Sequence, residues 1–129
     1  MAKSLSMISE AGEDLHKLLL FMKRKPGMSI ADFRDYYENR HMPLCMKYMQ
    51  GVERYFRRYL EPVEGMGEPY FDVITELWFR SRAPVDMIVA AMQKDAMPID
   101  VITDELNLFD RSKTRFHIVS EAETDLRKN

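Results

Sequence analysis

The chain has 129 residues, enough for one domain with a modest core. Hydrophobic residues make up 46% and charged residues 31%, which excludes a disordered polar chain. Nineteen basic against 21 acidic residues leave a net charge of −2, with no positive excess to serve nucleic acid or an anionic membrane surface.

Met1 to Asp14 is polar and lacks the apolar stretch of a secretion signal. Residues 1–16 are expected to be a flexible polar segment, 17–120 one domain, and 121–129 a polar tail. Cys45 is the single cysteine, so no internal disulfide forms, and a cytoplasmic location is expected. Neither Leu18 to Met22 nor Met87 to Met92 is long enough to span a bilayer, so no membrane partner is expected.

Lys17 to Met22 (KLLLFM) is a short apolar run, soon broken by Pro26-Gly27; its length favours a strand buried on both faces. Ser29 is a good N-cap, with Asp32 three residues on. Ile30, Phe33, Tyr37 and His41 then follow at helical spacing. Pro43 pushes Met42 away from helical angles, so this helix is expected to end or kink near His41. Leu44 to Gln50 reads as a second helical piece, stopped by Gly51. Val52 to Leu60 (VERYFRRYL) reads as a strand, with Val52, Phe56 and Leu60 on one parity and Tyr55 and Tyr59 on the other.

Glu61 to Pro69 holds two prolines and two glycines and reads as an exposed loop. Tyr70 to Phe79 (YFDVITELWF) is the clearest strand. Phe71, Val73, Thr75, Leu77 and Phe79 share one face; Tyr70, Asp72, Ile74, Glu76 and Trp78 share the other. Pro84 opens a helix with Val85, Ile88, Val89 and Met92 on one side, and Pro98 opens another helical piece. Thr114 to Ser120 closes the domain as a fourth strand.

The order β-α-β-β-α-β, with each helix in two pieces, predicts a ferredoxin-like α+β fold with a four-stranded antiparallel sheet. Two helices cover one face of such a sheet. Three of the four strands carry large apolar groups on both parities, so the second face also needs cover. A second copy is the simplest cover. The expectation is a homodimer whose sheets pair into a dimeric α+β barrel.

His41 is the first candidate for chemistry, since histidine carries protons near neutral pH. The alternative is a histidine capping carbonyls at a helix C-terminus. Asp72 and Glu76 lie four residues apart on a strand, hence on one face with Trp78, and are candidates to orient the histidine. The alternative is ion pairing with Arg54, Arg57 or Arg58. Tyr37, Tyr55 and Tyr59 are candidate donors to a substrate oxygen, with Trp78 as a further substrate contact; packing with a satisfied hydroxyl is the plainer role. His41 and Cys45 have the spacing of a ligand pair, but no third ligand is evident, so neither a metal nor a cofactor is expected. Lys23, Arg24 and Lys25 read as a solvated charge run. Eleven methionines serve as soft core filler or as an adaptable apolar pocket.

The stretch KRKPGMSIADFRDYYENRHMPL (Lys23 to Leu44) resembles the EthD domain family, as do GVERYF, FDVITELWF and ITDELNLFD (Ile102 to Asp110). The resemblance covers about residues 17–120 and implies a dimeric α+β barrel. Of the family's motif residues, His41 carries over, and Asp72 and Glu76 match an acidic pattern on the third strand. The activity implied is a small cofactor-independent enzyme. Its chemistry would be that of a lyase, dehydratase, cyclase or isomerase acting on a hydrophobic, aromatic or polyketide-like molecule. The alternative is a non-catalytic, ligand-binding accessory protein of an oxidative pathway of the ether-degradation type. An RNA-binding module shares the strand order, but Asp72 and Glu76 stand where basic residues and glycine would be expected.

Overall fold

A computed structural model describes residues 15–127 of the chain. The flexible segment expected at 1–16 therefore lies outside the described residues as far as position 14. Strand β1 is His16–Met22, β2 Val52–Tyr59, β3 Val73–Phe79 and β4 Arg115–Val119. They form one sheet in the order β2-β3-β1-β4, with every neighbouring pair antiparallel. This is the ferredoxin-like α+β arrangement expected from the sequence. Helix α1 is Ile30–Tyr36, α2 Met42–Cys45, α3 Arg82–Gln93 and α4 Ile99–Glu105. No helix among the described residues is long and apolar enough to cross a membrane.

Strand alternation divides the sheet into two faces. On β3, Val73, Thr75, Leu77 and Phe79 are buried, whereas Ile74, Glu76 and Trp78 are half-buried. The first set packs under the helices in two adjoining clusters. Leu18, Leu77, Phe79 and Val85 centre one; Met22, Phe33, Tyr37, Val73, Leu108 and Phe109 form the other. Truncating a fully buried member such as Leu18 to alanine should cost about 2–5 kcal/mol. The opposite face carries Leu19, Phe21, Phe56, Ile74, Trp78 and Val119, all half-buried within the single chain.

The Ser29 cap forms as expected, its Oγ accepting from the Asp32 N–H at 3.0 Å. The expected break near His41 does not. Tyr37–His41 is a π-helical turn that passes directly into α2, and a 3₁₀ turn follows at Met46–Tyr48. The Met42 N–H donates to the Tyr37 carbonyl, five residues back. A proline inside an α-helix lacks a donor and its ring clashes with the carbonyl four residues earlier. The wider π turn just before Pro43 resolves that conflict without leaving helical backbone angles. Gly51 then closes the segment with φ +85°. The helical region of the second half is in two pieces, α3 and α4, as expected.

Candidate functional site

His41 lies at the end of the π turn and is only 3% exposed. Continuation of the helix through Pro43 is what keeps it inside. Its ring meets the edges of Tyr37 and Phe109, with centroids 5.3 and 5.4 Å away. Both ring nitrogens have polar neighbours. Nδ1 is 2.8 Å from Oδ2 of Asp104 on α4, and Nε2 is 3.4 Å from Sγ of Cys45 on α2.

Asp104 is the orienting carboxylate. Burial acts to raise its pKa, but hydrogen bonds from Tyr36, His41 and Asn107 outweigh burial and hold the carboxyl below its ordinary value. It is therefore ionised at neutral pH, and Nδ1 is the nitrogen that carries the proton and donates to it. In the neutral ring, Nε2 is left as the acceptor. Burial, followed by the nearby carboxylates of Glu105, Asp104 and Asp100, pushes the Cys45 thiol up to about 12. The thiol is thus protonated and donates weakly to Nε2.

A second polar chain adjoins this one. The Tyr37 hydroxyl lies 2.6 Å from Thr75 Oγ1 and 3.0 Å from the Tyr55 hydroxyl. Burial pushes both tyrosines above their usual range, so both hydroxyls stay neutral. Among the described residues, no buried side-chain nitrogen or oxygen lacks a partner.

The structure thus brings together His41, Tyr37 and Tyr55 of the residues singled out from sequence, while Tyr59 packs edge-on against Tyr37 and donates its hydroxyl to Glu38. It does not bring Asp72 or Glu76 to them. Asp72 precedes β3 rather than lying on its open face. It accepts from the Arg24 N–H at 2.8 Å and from the Arg24 guanidinium at 3.0 Å, with Lys23 at 3.3 Å. Lys23 also pairs with Glu68. The Lys23–Arg24 charges, read as solvated, are half-buried ties between the β1–α1 loop and the start of β3. Glu76 and Trp78 sit on the opposite face of the sheet from His41. Glu76 accepts from Arg58 at 2.9 Å and from the Trp78 indole at 2.5 Å. Trp78 stacks obliquely on Phe56, with Lys17 Nζ 4.0 Å from its centroid.

Asp104, Tyr36 and Asn107 were not singled out by sequence reasoning. Asp104 and Asn107 lie inside the ITDELNLFD segment, whose motif character was the one signal available. An acidic residue on a short helix has no local mark of pointing at a histidine 63 positions away.

A cavity of about 300 Å³ opens between α3, α4 and the β1–β4 half of the sheet. Leu20, Met22 and Phe116 line it from the sheet, and Met92, Met97 and Glu105 from the helical side. His41 is not among the lining residues.

The family model of the EthD domain matches residues 25–112. Among solved structures, an Arabidopsis thaliana protein superposes with a TM-score of 0.58 at 16% identity, covering 86% of this chain and 99% of that one. An EthD family protein of Bacillus halodurans gives 0.54 at 19% identity, over 83% of this chain and 98% of that one. A Bacteroides fragilis protein, described as dimeric with a ferredoxin-like fold, gives 0.50 at 7% identity, over 84% and 96%. At these identities the structural matches carry the fold alone. No curated protein matches the chain significantly.

Proposed function

The chain belongs to the EthD family, and from that premise we propose that it is a cofactor-independent acid–base enzyme that works as a homodimer. Its substrate would be a hydrophobic, aromatic or polyketide-like small molecule. One observation carries the reading: Asp104, His41 and Cys45 form a chain in which a half-buried carboxylate holds one ring nitrogen and leaves the other as the acceptor.

In this reading Nε2 takes a proton from carbon next to a carbonyl, the step that lyase, dehydratase, cyclase and isomerase chemistry share. Asp104 fixes the tautomer and stabilises the imidazolium that forms, without itself taking the proton. The Cys45 thiol is a weak donor at 3.4 Å, so a substrate displaces it from Nε2 at small cost. Tyr37 and Tyr55, kept neutral by burial, supply hydroxyl donors for the developing oxyanion. Glu76 and Trp78 belong in this proposal to the paired sheet face, and Asp72 to the anchoring of the β1–α1 loop.

The test is deuterium uptake. A panel of β-dicarbonyl and ring-hydroxylated aromatic carbon acids is incubated with the protein in D₂O and read by mass spectrometry. Wild type should accelerate exchange on at least one member, and His41→Gln should lose about 10²-fold or more of that acceleration. A folded His41→Gln variant that exchanges at the wild-type rate would end the mechanism.

A second reading, non-catalytic ligand binding, has its own support in the cavity, whose lining does not include His41. Retention of a panel compound without any exchange would favour it.

A further inference from the structure

The cavity lining is of two kinds. Leu20, Met92, Met97 and Phe116 make it largely apolar, while Asp95, Glu105 and Arg111, joined by ion pairs, form one charged patch on it. Arg111 is already committed there. Its Nε donates to Glu105 at 2.8 Å and its Nη2 donates to Asp95. Asp95 is set in place by the turn that ends α3, in the left-handed region at φ 52°, where aspartate is tolerated better than most residues. Two carboxylates thus face one guanidinium, leaving this patch of the cavity with a net charge of −1.

We propose that this cavity is a ligand site for an uncharged aromatic molecule of about two rings that bears a hydroxyl, and that its acidic patch rejects carboxylates and phosphates. The size follows from the volume, since a cavity of about 150 Å³ holds one benzene. The aromatic character follows from Met92, Met97 and Phe116, because thioethers adapt to ring edges and faces. The hydroxyl follows from the acceptor lone pairs that Glu105 and Asp95 still have free beyond their bonds to Arg111. An anionic head would meet the excess negative charge of Asp95 and Glu105, which already occupy the Nε donor and one Nη2 donor of Arg111. Glu105 follows Asp104 directly, so α4 turns one carboxylate to the cavity and the other to His41. The proposal rests on the small-molecule part of the reading above and not on proton transfer.

Calorimetric titration of the full chain with 2-naphthol and 2-naphthoate tests it. Wild type should bind 2-naphthol, and 2-naphthoate should bind about tenfold more weakly or worse. Glu105→Gln removes the excess charge and should narrow that gap several-fold. Met97→Trp fills the cavity from the α3–α4 loop and should abolish 2-naphthol binding. The titration reads binding alone and the exchange assay reads proton transfer, so the two can fail independently. Failure of 2-naphthol to bind folded wild type, equal or tighter binding of 2-naphthoate, or unchanged binding by Met97→Trp would each overturn the assignment, whatever the exchange assay shows.

Discussion

At the residue scale, Asp104 sets burial against hydrogen bonding. Its folded pKa is lowered because the donors from Tyr36, His41 and Asn107 win over desolvation. A depressed carboxylate contributes stability that is complete above its unfolded value, near 3.9, and is lost as pH falls through the lower folded value. Urea midpoints of wild type and Asp104→Asn should therefore differ by a constant amount above about pH 5 and converge below about pH 4. A gap that persists unchanged to pH 2 would show that this carboxylate is not an acid-labile contact. His41 stands out in sequence as a candidate proton carrier, because residue type alone suggests that. Its partner does not, since the Tyr36–Asp104–Asn107 cluster exists only once α4 is folded against the π turn. Asp72 and Glu76 were misleading for a related reason. Strand parity put them together on paper, but the strand begins after Asp72, and Arg24 claims that carboxylate.

At the element scale, the hydrophobic pattern carried most of the information. The alternation on β3 marked its buried face correctly, and the caps and breaks placed α1, α3 and α4 within a few residues. The helix through Pro43 was not legible, because a proline reads as a stop unless the preceding turn widens. Gly51 was legible as a stop, and the fold adds a second demand on it. Its φ is +85°, and a Cβ there would lie 3.1 Å from Pro84 Cγ at the start of α3. Gly51→Ala should therefore destabilise the domain by about 1–2 kcal/mol, from the left-handed backbone alone. A denaturant midpoint equal to that of wild type would mean that the β2 entry relaxes without strain.

At the scale of the whole molecule, one sheet face is packed under helices and the other is a band of half-buried apolar and charged groups. Arg54 and Arg58 lie over Phe56, at 4.9 and 4.6 Å, and Lys17 over Trp78. The same double-sided strands that led to the homodimer expectation stand here in three dimensions, with Phe56 and Trp78 at their centre. A carboxylate introduced there would have to be desolvated on pairing. Phe56→Asp should sediment as a monomer at micromolar concentration while wild type sediments as a dimer. A wild-type monomer under those conditions would remove the pairing and leave the face to another role.

The π turn also bears on how relatives of this chain are to be compared. Each residue of an α-helix turns the chain by about 100°. A π turn is wider, so the five residues Tyr37–His41 make about the rotation of four in an α-helix, and deleting one there would restore ordinary α pitch with little change of bearing. A relative with such a gap would keep its histidine on much the same bearing, but one position nearer in sequence to the residues before the turn. Alignment columns are therefore not interchangeable across this point.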